Sequence, residues 1–518
     1  MDDTTAQFKR QLPRNAFFQV LSFIARVGIG LWLVPYLVHH LGRAAYGLIP
    51  IAGIMTQYVS IISQSVSSAV SRFLTVALQR GDTEEANRIF NTALHSYLAL
   101  ALLQIPVFGV IIWQANHIFT IPHELYVDAI LLLMCSATAF LVNLVTSVFA
   151  VPIYANNRLD ISRGINVVRQ IARLMGIVGL FLILHPALRY VGYVDLTLSV
   201  AECLATIGIG RWLAPSLRLD RHAFDWKKVR QLTTMGGWLV INYIGFLLFL
   251  RVDIWVCNRF IGAEAAGDYA AMLPWSNLIR QGGQLMAGVI SPMIVIYYAR
   301  SEMEQLIRLN GLSVRIFALV LAIPVSVLCA FSKPLLELWL GESFTHLAPL
   351  MTIMVAHLVV NVGVLPLFSI QTALNKVKWP ALVTVVMGVL NLALTISFAR
   401  YLHWGVLGVA VASAIVLTLK NALFTPIYAA LILGQPWHHF LRSYVLGLLF
   451  FAGLTTLGIT LDRTVHPRSW SQLLGIAMVV GAVGAAVAWA VLPRQDRRQV
   501  INLLPERLRI VLARFIAA

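Results

Sequence analysis

Fourteen stretches of this chain are long and apolar enough to cross a bilayer: 15–39, 45–70, 91–114, 126–151, 165–185, 190–213, 233–260, 267–298, 309–332, 346–372, 379–400, 404–432, 441–462 and 470–492. A spanning helix needs about 20 mostly apolar residues. In lipid every backbone N–H and C=O must find its partner within the protein, so segments of this length are helices, whereas a barrel would show short alternating segments. The stretch 190–213 is the weakest candidate of the set, since it carries Asp195 and Glu202. Only 12% of residues are charged and 59% are hydrophobic, where a soluble domain is roughly 25% charged. A soluble globule could not cover its core with so few charges. The expected fold class is an all-α polytopic membrane protein of about 14 transmembrane helices.

The charge balance is lopsided, with 39 Lys+Arg against 22 Asp+Glu, or +17. In a soluble protein that would suggest nucleic acid. Across a membrane it reports orientation, because basic residues are retained on the cytoplasmic side. With the N-terminus inside and the sides alternating, 28 basic residues fall in cytoplasmic segments, Arg169 and Arg173 among them, and 7 fall outside. Four lie deep in spans: Arg26, Arg251, Arg280 and Lys420. Twelve of the acids are also cytoplasmic, so +16 of the +17 is topological and implies no nucleic-acid partner. Both termini are expected inside, with no secretory signal.

Catalytic and metal motifs are missing. Cys135, Cys203, Cys257 and Cys329 are scattered in apolar stretches without a CxxC pair, so they read as small hydrophobes. The pairs His39-His40 and His438-His439 lie at span ends without other ligands. No phosphate-binding loop and no H-E-x-x-H is present, and the outer loops near 115–125 and 333–345 are short for a catalytic site. The expectation is a protein that is not an enzyme and uses no cofactor or metal.

Sliding the chain on itself by 220 residues aligns two stretches without a gap. LGRAAYG (41–47) falls on IGAEAAG (261–267), and RGDTEEANR (80–88) falls on RSEMEQLIR (300–308), with Gln64 on Gln284 and Ser71 on Ser291. Over 39–91 there are eight identities in 53 positions. Six spans then correspond to the next six, and because six is even the repeats run parallel, an arrangement found in transporters. The expected organisation is a six-helix bundle in 1–213, a basic cytoplasmic linker in 214–232 and a second bundle in 233–432. Two added helices follow in 433–492, then a basic amphipathic tail in 493–518.

The stretch LSFIARVGIGLWLVPYLVHHLGRAAYGLI (21–49) resembles the N-terminal signature of the polysaccharide transporter family. This is the Wzx-type oligosaccharide flippase branch of the multidrug/oligosaccharidyl-lipid/polysaccharide (MOP) superfamily. The shared features are an Arg early in the first span, an apolar run with Pro35, then LG, a short gap and YGL. The resemblance implies two six-helix bundles around a central cavity that opens alternately to each side. It also implies a bacterial inner-membrane location and a polyprenyl-diphosphate-linked oligosaccharide as substrate, with a glycan polymerase and glycosyltransferases as candidate partners. A lipid II flippase and a cation-coupled multidrug exporter are the alternatives within the superfamily.

Charges in the bilayer are the candidate site residues. Arg26 lies about 16 Å along the first span at 1.5 Å per residue, and a mid-bilayer Arg costs at least ~2.5 kcal/mol on insertion scales. Its planar fork suits a diphosphate; a structural ion pair is the competing reading. Arg280, among Gly282, Gly283 and Gly288, and Arg251 and Lys420 are the other candidate substrate cations. Asp253 and Glu202 are the deepest acids and thus candidates for ion coupling, with a neutralising cation as the competing reading. Asp253 is two residues from Arg251, which turns them to different sides of a helix. Gln64 and Gln284 could contact sugar hydroxyls or bond between helices. Trp32, Trp238, Trp255 and Trp275 could stack sugars or anchor at the interface.

Overall fold

The computed structural model describes residues 2–220, 224–226, 228–229 and 237–503. They are helical, with no strand among the described residues. In chain order the principal helices are α1 (Asp2–Leu41), α2 (Arg43–Val59), α3 (Ile61–Arg80), α4 (Thr83–Trp113), α5 (Tyr126–Ala155), α6 (Leu159–Ile183), α7 (Leu188–Leu213) and α8 (Gly237–Leu250). There follow α9 (Ala263–Ala299), α10 (Met303–Ala330), α11 (Lys378–Arg400), α12 (Gly405–Thr418), α13 (Leu441–Val465), α14 (Trp470–Val491) and α15 (Arg494–Leu503).

Twelve helical segments among the described residues are long and apolar enough to span a membrane. The other two expected spans, 45–70 and the described part of 233–260 (237–260), are helical but interrupted. The first breaks at Ser60, between α2 and α3. There the Ser60 hydroxyl donates to the Gln57 carbonyl (2.6 Å) and the Ser63 hydroxyl to the Ser60 carbonyl (3.1 Å). Such side-chain bonds compete with the helix ladder and bend it. The second breaks at Arg251, whose φ of −126° ends α8, and a π turn follows at Cys257–Ile261. Two further spans are kinked. Glu342–Ala373 restarts at Leu365, just before Pro366. Beyond α12 the chain makes a π turn at Leu419–Phe424 ahead of Pro426, where the missing proline N–H leaves a carbonyl one turn earlier without its helical donor.

The chain groups into two compact units. One holds Met1–Pro274 with Ala381–Ser413, the other Trp275–Pro380 with Ala414–Ala518. The expected second bundle, 233–432, is therefore divided between them. In the first unit α7 crosses α5 at close range. A Cβ on Gly192 would come 3.2 Å from the Leu132 Cα, and one on Gly210 would collide with the Phe149 carbonyl. Small residues at crossings are how membrane helices gain packing without a hydrophobic drive. In the second unit α13 lies on α10 in the same way, through Gly447 on Ala318 and Gly458 on Ala330.

The linker of 214–232 is docked on α4 where it is described. Asn87 donates to the Ser216 carbonyl (3.0 Å) and accepts from the Arg218 amide (2.7 Å); Asn91 does the same for the Arg218 carbonyl and Asp220 amide (both 2.9 Å). Thr92 accepts from the Asp225 amide (3.1 Å). Two asparagines one turn apart thus take the place of a neighbouring strand. The tail begins as α15, tied to α10 by an Asp496–Arg315 ion pair, while Arg497 Nε donates to the Leu492 carbonyl (2.8 Å) beyond α14. Residues 504–518 of the expected tail lie outside the described residues.

The structure corrects the placement of two cations. Arg169 and Arg173, counted by charge with the cytoplasmic segments, lie inside α6. This helix starts at Leu159, six residues before the expected span, so they sit about 15 and 21 Å along it. Both are paired with acids of α7. Arg169 donates to Glu202 (2.8 Å) and to the Ser199 hydroxyl (3.2 Å), and Arg173 grips Asp195 with two bonds of 2.6 and 3.1 Å.

Candidate functional site: a buried carboxylate and intramembrane cations

Asp253 follows the break that ends α8 and is only 8% exposed. The Tyr269 hydroxyl on α9 donates to its Oδ2 (2.7 Å). Its Oδ1 accepts from the Ser413 hydroxyl on α12 (2.7 Å) and from Asn391 Nδ2 on α11 (3.2 Å). Ser413 also lies 2.9 Å from Asn391 Oδ1, and the Thr395 hydroxyl donates to the Asn391 carbonyl (2.7 Å). All of these residues belong to the first unit. Glycines let α8 and α11 approach closely enough to build the cluster. A Cβ on Gly245 would be 3.0 Å from the Val385 amide nitrogen, and one on Gly388 would be 2.8 Å from Leu248 Cβ.

A buried carboxylate is costly unless hydrogen bonds or a cation compensate it. Three neutral donors contribute here, and Ser413 Oγ lies within hydrogen-bonding distance of both Asp253 Oδ1 and Asn391 Oδ1. Oxygen sets of this kind suit a proton or a hard cation. Among the described residues no group of three His, Cys, Asp or Glu could hold a metal ion. Of these residues the sequence singles out Asp253 alone, not Tyr269, Asn391, Thr395 or Ser413. The available signal was a polar pair at i, i+4, Asn391 and Thr395, inside an otherwise apolar span.

Arg26 is exposed although Ser22, Leu33 and Leu37, on the same side of α1, are each 3% exposed. Its side of the helix is thus the packed one, opposite the outward-facing Ile24 and Trp32. No ion pair or hydrogen bond engages Arg26 among the described residues. Arg251 is half-buried, and its Nε is enclosed without a hydrogen-bond partner among the described residues.

Arg280 and Lys420 both belong to the second unit. Arg280 lies beside His357. The His357 Nδ1 is 2.7 Å from Asn361 Nδ2, which also reaches the Thr418 hydroxyl (3.3 Å). Two residues on, in the π turn, Lys420 places its ammonium 5.1 Å from the centre of the Phe368 ring. Gly283, against Val362, brings α9 close to the helical segment that carries Asn361.

The remaining candidates are dispersed. Glu202 is held by Arg169 (2.8 Å) in the α6–α7 ion pair. Gln284 is exposed; the side chains of Gln64 and Trp238 lie outside the described residues. Trp275 packs edge-on against Trp339, Trp32 stacks on Tyr36, and Trp255 donates to the Ile118 carbonyl.

The model of the polysaccharide biosynthesis protein family matches residues 12–298. The chain belongs to that family. It is 31% identical over 489 residues to the uncharacterized membrane protein EpsK of Bacillus subtilis (strain 168), covering 94% of this chain and 96% of that protein. Among solved structures it is similar to the lipid II flippase MurJ in an inward closed conformation. That match has a TM-score of 0.67 at 14% identity and covers 92% of this chain and 99% of the other. An inward-facing MATE multidrug resistance transporter of the MOP superfamily matches with a TM-score of 0.63 at 13% identity, covering 84% and 95%. The family member described here therefore has the fold of MOP flippases and transporters.

Proposed function

We propose that this chain flips a polyprenyl-diphosphate-linked oligosaccharide across a bacterial inner membrane, by alternating access, for surface polysaccharide synthesis. The observation that carries the reading is Arg26, an exposed guanidinium within the apolar helix Pro13–Leu41, on the same helix side as the buried Ser22, Leu33 and Leu37 and engaged by no acid among the described residues. Family membership adds the polysaccharide context. A diphosphate head would meet Arg26 as two parallel charge-assisted bonds, with Arg251, Arg280 and Lys420 as further cations along its route and Gln284 or Gln64 at the sugars. The prenyl tail stays in lipid throughout. The reading takes fourteen spans, six plus six plus two, with both termini cytoplasmic.

Asp253, with Asn391 and Ser413, is the proposed seat of the coupling proton or monovalent cation. Loading a charge there neutralises a buried carboxylate and changes what α8, α11 and α12 gain by packing together. Glu202 is a weaker choice, since Arg169 already neutralises it.

The test is export of surface glycan in cells that lack the chromosomal copy. Arg26→Ala is expected to abolish export at normal protein level, and Arg26→Lys to restore only part of it, because an ammonium is a point charge without the fork. Full export by Arg26→Ala would sink the reading. Rescue of a strain depleted of its lipid II flippase, or drug resistance conferred on transporter-free cells, would favour the two alternatives.

A further inference from the structure

Where the linker leaves α7 it covers a small cavity at the end of the first unit that carries basic segments. The cavity measures about 240 Å³. Phe90 of α4, Phe149 and Pro152 of α5, and Leu217 of the linker make its apolar walls, and Arg211 and Arg218 stand at its rim. Both arginines are exposed, and neither guanidinium has an ion-pair partner among the described residues. The nearby linker cation Lys228 differs, being paired with Glu85. Trp212, next to Arg211, is 68% exposed, as expected of a residue at the headgroup level of a bilayer.

The linker is not free to collapse into this cavity. Asn87 and Asn91 hold residues 216–220 along α4 through four backbone bonds of 2.7–3.0 Å. The lid is therefore fixed by side chains that do not line the cavity, and the space beneath it persists. Two guanidiniums over an apolar floor at membrane level are complementary to one class of ligand, an amphiphile with an anionic head. Two unpaired arginines gain charge-assisted bonds from a phosphodiester, and basic pockets between membrane helices take acidic lipid headgroups.

We propose that this cavity binds an anionic phospholipid of the adjacent leaflet, its phosphodiester between Arg211 and Arg218 and the upper part of one acyl chain against Phe90, Phe149 and Leu217. The lipid braces the linker that joins the two repeats. This assignment does not depend on which glycan is flipped or on whether the chain is a flippase.

Delipidated protein in neutral detergent is titrated with phosphatidylglycerol, phosphatidylcholine or glycerol 3-phosphate, and bound lipid is counted by native mass spectrometry. Phosphatidylglycerol should bind first and saturably, and Arg211→Gln with Arg218→Gln should weaken it about thirty-fold, taking roughly 1 kcal/mol per basic residue. Leu217→Trp, which fills the cavity from its linker wall and keeps both charges, should weaken it as well. Melting of each variant without lipid checks that it is folded. Equal binding of phosphatidylcholine, or unchanged binding by either folded variant, overturns the proposal. Competition by glycerol 3-phosphate at matching concentration also overturns it, because the site would then recognise a soluble phosphate.

Discussion

Gly47 and Gly267 lie against each other, so closely that a Cβ on Gly47 would fall 2.6 Å from the Gly267 amide nitrogen. They are also the closing residues of LGRAAYG and IGAEAAG, the two heptads related by the 220-residue offset. Positions related by the 220-residue offset thus meet where α2 and α9 begin. Arg43 fastens the same crossing, with Glu264 at 3.1 Å and Asp268 at 3.5 Å. A Cβ on Gly267 would strike the Arg43 backbone carbonyl, which cannot swing aside as a side chain can. Gly267→Ala is therefore expected to lower the melting temperature of purified protein, at a cost of about 1–3 kcal/mol for overpacking. Gly28→Ala, whose new methyl meets nothing within 4 Å, should be neutral or stabilising by up to ~1 kcal/mol through helix propensity. Equal melting of the two variants would contradict the close crossing.

Asp253→Asn keeps the size of the side chain and most of its hydrogen bonds but removes the charge. Transport by this variant is expected to lose its dependence on the proton or sodium gradient while the protein still folds. Ser413→Ala removes one of the two oxygens, Asn391 Oδ1 and Ser413 Oγ, grouped with Asp253 Oδ1 and should lower the apparent affinity for the coupling ion without abolishing transport. Vesicle flux measured against stepped pH and sodium gradients separates the two. An unchanged gradient response in Asp253→Asn would exclude this carboxylate as the coupling site.

Removing one member of the Arg173–Asp195 pair leaves a partly buried charge alone, which typically costs about 3 kcal/mol or more. Arg173→Met should therefore reduce the folded yield sharply. Replacing both residues, Arg173→Met with Asp195→Leu, should recover most of it, since apolar groups of similar volume lose no desolvation energy. Melting curves of the single and double variants form the cycle, and failure of the double variant to recover would mean that the pair does more than neutralise itself.

His439 lies outside the spans, and partial burial together with its neighbour His438 holds it below the usual histidine range. The unfolded chain accepts a proton near pH 6.5 that the folded protein takes up only at lower pH. Stability is therefore fully present above pH 6.5 and falls as the pH drops through the folded value. His439→Gln should flatten the acid side of the melting profile between pH 7 and 5, and an identical slope in both proteins would remove His439 as a contributor.

The all-helical, membrane-spanning character was legible in the sequence, because long apolar runs are local signals; twelve of the fourteen runs are helical segments long enough to cross a membrane among the described residues. The Gly47–Gly267 contact shows why the repeat was visible in so few identities: residues that meet backbone to backbone admit little but glycine. The Asp253 site was legible only as its acid. Asn391 and Ser413 come from spans about 140 and 160 positions away, and no local pattern connects them. Arg169 and Arg173 were misplaced because a tally of basic residues by side assumes that cations near a span end are outside it. Their acids, Asp195 and Glu202, carried the missing information as the polar residues of an otherwise apolar span.

The α6–α7 pairs also bear on how the chain enters the bilayer. A helix presented alone with two central arginines faces a barrier of about 5 kcal/mol or more on insertion scales. α7 presented alone carries two acids into the same layer. Joined, with only Leu184–Ala187 between them, the two can bury their charges against one another. α6 is then a poor membrane anchor until α7 has been synthesised, and the pair enters the lipid as one hairpin.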